Sequence, residues 1–439
     1  MHYEWIRSTP EQPWIIRDVP PACVDEASLK VLPDPGQTWK GFGGCFNELG
    51  WIALSKLAQE ERDAVLRGLF SNDPGCCGFS YCRMPIGASD YARSWYSHNE
   101  HDGDYAMEHF SIERDHRHLI PYIRAAQQYQ PGLSLFASPW SPPTWMKSPP
   151  AYNYGTLVWT PENLTAYARY FVRFVQAYAA LGMEISAVHV QNEPNSDQKF
   201  PSCVWTGAQM RDFIRDYLGP AFRDAGLSTQ VWVGTIERAD INAWAQLILS
   251  DAKAHTYVSG VGYQWAGKGA VQRQRMAWPD VPIIQTENEC GDGTNTWDYA
   301  HYIFDLIHHY VTNGVEAYVY WNMVLEDGGE STWGWKQNAM VSVDPLRGTY
   351  TLNPEYYVMR HVAGYVEPGD SVLGLEGHWA GNALAFRKRD GRMVWTLHNP
   401  FEDEVTVSID GGRDVYELRL DPRSFHTVIT RQNSGETAS

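Results

Sequence analysis

Between about residue 40 and residue 325, short apolar runs alternate eight times with longer stretches of helical period, and few architectures accept that alternation. The runs are Phe42–Phe46, Tyr81–Ile86, Leu133–Ser138, Ala187–Gln191, Val231–Thr235, Val258–Tyr263, Ile283–Glu287 and Tyr318–Trp321. Runs this short and this apolar suit parallel strands covered on both faces. The clearest helix follows Thr160-Pro161-Glu162, where Thr160 can cap the first turn and Pro161 gives up an N–H that has no helical partner. Leu164, Tyr167, Phe171, Phe174 and Tyr178 then recur at steps of three and four, which is one helical face. Similar patterns occupy roughly 55–70, 114–128, 208–225, 241–252 and 297–312. Eight β/α units in series predict an α/β fold, specifically a (β/α)8 TIM barrel rather than an open doubly wound sheet. No GxGxxG or GxxxxGK[ST] follows any of the strands, which counts against nucleotide binding.

After about residue 360 the period changes to two. Val405, Val407 and Ile409 alternate with Thr406 and Ser408, and Tyr416, Leu418 and Leu420 do the same. Asp390-Gly391, between Ala383–Phe386 and Met393–Leu397, signals a hairpin. The organisation predicted is a barrel over 39–360, a small antiparallel β-sandwich over 361–439, and an N-terminal segment, 1–38, that contributes strands to the sandwich. A length of 439 residues is ample for both units.

Composition narrows the function. The formal charge of −17 repels phosphate backbones and anionic membrane surfaces, so no nucleic-acid partner is expected. The 19 Trp and 25 Tyr suit sugar faces, although a Trp-rich core would give the same count. Seven cysteines, with no CxxC pair, do not read as a disulfide framework. The N-terminus shows no signal-peptide pattern and no apolar run of 18 residues occurs. The expectation is a protein without a membrane span, cytoplasmic, or secreted if an export signal has been removed. The sequence sets no oligomeric state.

Barrel chemistry sits at the C-terminal ends of the strands. There, strand four ends in Gln191-Asn192-Glu193-Pro194-Asn195 and strand seven in Gln285-Thr286-Glu287-Asn288-Glu289-Cys290. Two carboxylates facing one cleft are what glycoside hydrolysis requires: one gives a proton to the leaving oxygen, the other meets the developing cation. Taken singly, either Glu could be a solvated loop residue. Asp115-His116-Arg117-His118 and the pair His98/His101 invite a metal reading but lack a third ligand at ordinary spacing, so no metal and no cofactor are expected.

Asn192-Glu193-Pro194 resembles the acid/base motif of the clan A retaining glycosidases. Gly41-Phe42-Gly43-Gly44-Cys45-Phe46, Arg83-Met84-Pro85-Ile86-Gly87 with Ser89-Asp90-Tyr91, and Tyr320-Trp321-Asn322 resemble strand motifs of glycoside hydrolase family 30, which includes glucosylceramidases. The run Ala137-Ser138-Pro139-Trp140-Ser141-Pro142-Pro143-Thr144-Trp145-Met146-Lys147 is the most specific of these matches. The resemblance implies Glu193 as acid/base and Glu287 as nucleophile, with Asn192 on the sugar 2-hydroxyl. It further implies Arg83 beside Glu287, Asp90 on sugar hydroxyls, Trp140 and Trp321 as walls, and Tyr263 hydrogen-bonded to the nucleophile. Glu289 competes with Glu287. Alternation favours Glu287, which directly ends the apolar run, whereas Glu289 lies two residues out.

The implied reaction is double displacement with retention, for which the carboxyl groups should stand roughly 5–5.5 Å apart, and about 9 Å would contradict it. A β-glucoside or related β-hexoside is the expected substrate. Other activities of the family are β-1,6-glucanase, β-xylosidase or xylanase, and β-fucosidase or galactanase. The acidic loop Glu326-Asp327-Gly328-Gly329-Glu330 argues against an anionic substrate, unless it is simply a solvated turn. Two rivals come from other classes. A silent carbohydrate-binding barrel should lack one of the carboxylates. A nicotinamide- or phosphate-dependent barrel should carry a phosphate cradle after strand seven or eight, where only Gly291-Asp292-Gly293 is available.

Overall fold

The structure is a computed structural model that describes residues 3–18, 26–410 and 415–430. The eight strands form one parallel sheet: β1 (Gly41–Cys45), β2 (Tyr81–Ile86), β3 (Ser134–Pro139), β4 (Ile185–His189), β5 (Gln230–Ile236), β6 (Val258–Gln264), β7 (Ile283–Glu287) and β8 (Ala317–Asn322). From β1 to β7 each strand pairs with the next in sequence, and β8 pairs with β1. The remaining gap, between β7 and β8, is spanned partly by side chains. Gln285 Oε1 accepts from Val319 N at 2.6 Å and Asn288 Oδ1 accepts from Trp321 N at 2.7 Å, while Glu316 N donates to Ile283 O at 2.8 Å. Two carboxamides thereby stand in for ladder bonds that the strands do not make.

The Gly-rich start of β1 has a steric cause: a Cβ on Gly43 would lie 1.7 Å from the Tyr81 carbonyl oxygen of β2. Inside the ring, Tyr81, Phe136, His189 and Trp232 pack on one another and close the floor below the strand ends. Outside, helix Pro161–Ala180 follows the expected logic. Thr160 accepts from Asn163 N, and Leu164, Tyr167, Phe171, Phe174 and Tyr178 are all buried against the barrel. Burial of each such side chain is worth roughly 1.5–3 kcal/mol. The stretch 208–225 is helical but not uniform. Gly207–Phe213 and Gly219–Asp224 flank a wide π turn at Ile214–Leu218, directly ahead of Pro220, which has no N–H to donate. Within the stretch 55–70 the helix is Gln59–Phe70, and a separate helix, Glu48–Leu54, ends just ahead of that stretch.

The second unit is a seven-stranded antiparallel sheet faced by the hairpin Val405–Asp410/Val415–Leu420. N-terminal strands Tyr3–Ser8, Ile15–Asp18 and Lys30–Thr38 belong to that sheet: the first pairs with Ser424–Thr430, the second pairs with the first and forms one edge, and the third pairs with Ser371–Glu376 and forms the other. Val407, Ile409, Leu418 and Leu420 pack on Trp5 and Trp395, which is the inward half of the period-two pattern. Asp390-Gly391 makes the turn between Ala383–Arg387 and Met393–Asn399, with Gly391 at φ +85°. The boundary placed at residue 360 falls inside helix Pro354–Ala363. This helix docks the two units, with His361 Nδ1 and Nε2 at 2.8 and 2.7 Å from the hydroxyls of Thr427 and Ser8.

Candidate active site

The C-terminal ends of β2 to β7 converge on one guanidinium. Arg83, on β2, is fully buried. Its Nη1 donates to Glu287 Oε2 at 2.8 Å, Thr286 O at 3.1 Å and Gln264 Oε1 at 3.2 Å. Its Nη2 donates to Asn192 Oδ1 at 2.6 Å and Ser138 Oγ at 2.8 Å. One cation therefore ties the strand-four and strand-seven acidic segments together, and the face of Trp140 covers it with its centroid 4.5 Å away.

Glu287 reaches this cluster because the β6–β7 ladder slips one residue between Tyr263 and Gln264. The extra residue, Thr286, bends the end of β7 and turns Glu287 into the mouth. Glu287 Oε2 also accepts from Gln264 Nε2 at 3.1 Å, and Oε1 accepts from Trp265 Nε1 at 2.9 Å. Gln264 Nε2 reaches Glu193 Oε1 at 3.1 Å as well. Two carboxyl oxygens each 3.1 Å from one nitrogen can be no further apart than twice that distance, 6.2 Å.

The two environments differ in what opposes burial. Glu193 is held well above the ordinary carboxyl range by burial, then by the negative charges of Glu287 and Glu237, against a single amide donor from Gln264. Burial raises Glu287 too, but Arg83, Trp265 and Gln264 all pull it back. Of the pair, Glu287 is the carboxyl on which a cation and two donors oppose the effect of burial, whereas Glu193 has one donor. Both Glu193 and Trp265 sit at φ +47°, a left-handed conformation that costs a non-glycine residue about 1–3 kcal/mol unless its surroundings hold it.

A cavity of about 610 Å³ opens over this pair, lined by Asp90, Trp140, Asn192, Trp265 and Trp335 among others. Asn192 Oδ1 receives Arg83, Thr235 Oγ1 at 3.1 Å and Gln264 Nε2 at 3.2 Å, so its NH2 is the end left for a ligand. Asp90 is buried, its Oδ1 has no partner, and burial followed by the Glu287 charge pushes its carboxyl up to about 8.

Two expectations, for Tyr263 and Trp321, differ from what the structure shows, and the preference for Glu287 over Glu289 agrees with it. Tyr263 does not touch Glu287: its hydroxyl donates to Gln274 at 3.2 Å on the outside of the barrel. Along β6 the inward positions are Gly260, Gly262 and Gln264, the first two directly against Trp232 and His189, so strand parity sends Tyr263 outward. Trp265, just past the strand, supplies the hydrogen bond instead. Trp321 stacks on Trp140 with centroids 5.4 Å apart but is not part of the cavity lining. Glu289 points away from the pair and forms an ion pair with Lys268. Asp115 and His98 lie together elsewhere, with Asp115 accepting from Tyr96 and Tyr178 hydroxyls at 2.7 and 2.6 Å. The residues that sequence reasoning missed are Gln264, Trp265, Trp335 and Glu237. Only Gln264 had a signal, since it directly extends a strand ended one residue early.

The model of the glycosyl hydrolase family 30 TIM-barrel domain matches residues 39–366, and that of the family's beta sandwich domain matches 382–428. The chain belongs to glycosyl hydrolase family 30. As a family 30 protein it is similar to "Putative glucosylceramidase 2" of Caenorhabditis elegans, with 30% identity over 89% of this chain and 81% of that one. It is also similar to an endo-1,6-beta-D-glucanase of Neurospora crassa, with 29% identity over 85% and 81% of the two chains. In fold it matches the crystal structure of SrfJ from Salmonella typhimurium at a TM-score of 0.90 and 24% identity, covering 99% of this chain and 100% of that one. The family 30 barrel described above is thus a glycoside hydrolase barrel, with both acidic side chains present.

Proposed function

We propose that this family 30 glycoside hydrolase cleaves β-D-glucosides or related β-hexosides by double displacement with net retention, Glu193 acting as acid/base and Glu287 as nucleophile. The observation that carries the reading is the single Gln264 nitrogen between the two carboxyls, which limits their nearest oxygens to 6.2 Å. That limit favours the roughly 5–5.5 Å of retaining enzymes over the roughly 6.5–9.5 Å that leaves room for an attacking water.

In the first step Glu287 attacks the anomeric carbon, the glycosidic C–O bond breaks, and the Glu193 proton goes to the departing oxygen. In the second, Glu193 takes a proton from water, whose oxygen replaces Glu287 at the anomeric carbon. Asn192 offers its NH2 to the sugar 2-hydroxyl, a bond that strengthens as charge develops. The unpartnered Asp90 Oδ1 accepts a further hydroxyl, and Trp140 supplies an apolar face. Arg83 keeps Glu287 ionised between turnovers.

The test is inactivation with 2-deoxy-2-fluoro β-glucosides and peptide mapping of the labelled protein. Label on Glu287 is expected, and label on Glu289 overturns the assignment. Similarity to the Neurospora enzyme supports a second substrate, a β-1,6-linked glucan. Rates on gentio-oligosaccharides and on an aryl β-glucoside, compared side by side, decide between them.

A further inference from the structure

A third carboxylate borders the cavity. Glu237 follows β5, is 2% exposed, and lines the same space as Glu193. Its hydrogen bonds all run to the turn that carries Glu193. Oε1 accepts from Asn195 N at 3.0 Å and Ser196 Oγ at 2.9 Å, and Oε2 accepts from Asn195 Nδ2 at 3.4 Å. That turn needs holding. Glu193 is in the left-handed region, its N–H donates to Thr235 O on β5 at 3.1 Å, and its carbonyl accepts from Ser196 N at 2.9 Å. Glu237 supplies the side-chain half of the same attachment.

We propose that Glu237 is a positioning residue for Glu193, fastening the turn on which the proton donor sits and presenting a second negative charge to it. The proposal rests on the reading of Glu193 as acid/base. Burial raises the Glu237 carboxyl above its ordinary value, while the donors on it, Ser196 and Asn195, and the positive charge of Arg238 oppose that rise and favour the carboxylate. The charged groups facing Glu193 are Glu287 and Asp90 from β7 and the β2 loop, and Glu237 from β5. Arg83 meets Glu287 directly and is bonded to Glu193's neighbour Asn192. Removing the Glu237 charge takes away one negative neighbour of Glu193 and so makes Glu193 lose its proton at lower pH.

The experiment compares wild type, Glu237→Gln and Glu193→Gln on 2,4-dinitrophenyl β-D-glucoside, whose leaving group needs no proton, and on n-octyl β-D-glucoside, whose leaving group does. Glu237→Gln keeps the volume and part of the hydrogen bonding but no charge. The alkaline limb of its kcat/KM profile should move down by about one pH unit. Its rate should fall by about 10- to 100-fold on the octyl substrate and by less than about 3-fold on the dinitrophenyl one. An unmoved alkaline limb, or equal losses on both substrates, overturns the proposal, because a merely structural defect reads that way. If Glu193→Gln itself fails to discriminate between the substrates, the acid/base reading has failed. If it discriminates and Glu237→Gln does not, only the present inference has failed. Thermal melting of each variant identifies a folding defect, and Ser196→Ala, which removes one anchor and leaves the charge, should lower rates on both substrates without moving the limb.

Discussion

Two buried polar clusters hold this molecule together at different places, and they solve the burial problem in opposite ways. At the barrel mouth, Arg83, Glu287, Asn192, Gln264 and Glu193 bury charge and keep it, with one guanidinium serving several acceptors. At the junction of barrel and sandwich, His361 and His398 are buried and His301 is half-buried. There burial pushes the imidazoles down, to about 3, about 2 and about 4, so they remain neutral and bond to hydroxyls and to each other. At the mouth the buried charge lies beside a cavity, and the wall of that cavity includes the Asp90 carboxyl, whose Oδ1 has no partner. A neutral cluster cements, whereas a charged one that leaves valences open does chemistry.

The contrast can be broken most forcefully at Glu287. Glu287→Gln should lower kcat on an aryl β-glucoside by about 10⁴-fold or more, whereas Glu289→Gln, which loses the Lys268 pair and weakens the bond with Tyr302, should stay within about tenfold. Comparable losses in both would dissolve the distinction between mouth and periphery. Next in size, Arg83→Leu leaves Glu287 buried without its cation. Urea unfolding should show a loss of about 3–5 kcal/mol, and a variant as stable as wild type would mean that the cation does not balance that burial.

The junction responds to acid with a definite sign. The His361 imidazole is held below its ordinary value of 6.5 when folded, so the unfolded chain binds the proton more tightly. Its contribution is therefore complete above pH 6.5 and drains away as pH falls toward 3, at a slope of about 1.4 kcal/mol per pH unit. His361→Gln should flatten the melting profile between pH 6.5 and 4, and an unchanged slope would place the acid sensitivity elsewhere. The smallest contrast lies within one strand end. Trp265→Phe removes a donor to Glu287, so kcat/KM should drop by about tenfold and the acidic limb should move to higher pH. Tyr263→Phe, which alters only an outward bond to Gln274, should change kcat/KM by less than about twofold.

What the sequence disclosed followed from periodicity. Tyr81–Ile86 and Ile283–Glu287 are bounded to the residue because apolar runs end where polar strand-end chemistry begins, and it is the end of that second run that separates Glu287 from Glu289, two residues beyond it. The same rule, carried one position short on β6, left Tyr263 with a role that belongs to its neighbours. The β6–β7 slip that aims Glu287 has no mark in composition, since Thr286 looks like any strand residue. Trp265 acts from a left-handed backbone position, which no side-chain pattern announces. Glu237 was invisible because a lone acid after a strand resembles any loop acid until the turn it grips is seen.

The join between β7 and β8 carries a consequence of its own. Because Gln285 and Asn288 fasten it with side chains, the staves bearing Glu287 and Trp321 meet at a clasp rather than at a full set of rungs. Replacing either amide with an aliphatic residue would unfasten the hoop at that one place while the other seven seams kept their ladders. The depth at which Glu287 stands is thus adjustable by two residues that never touch a sugar.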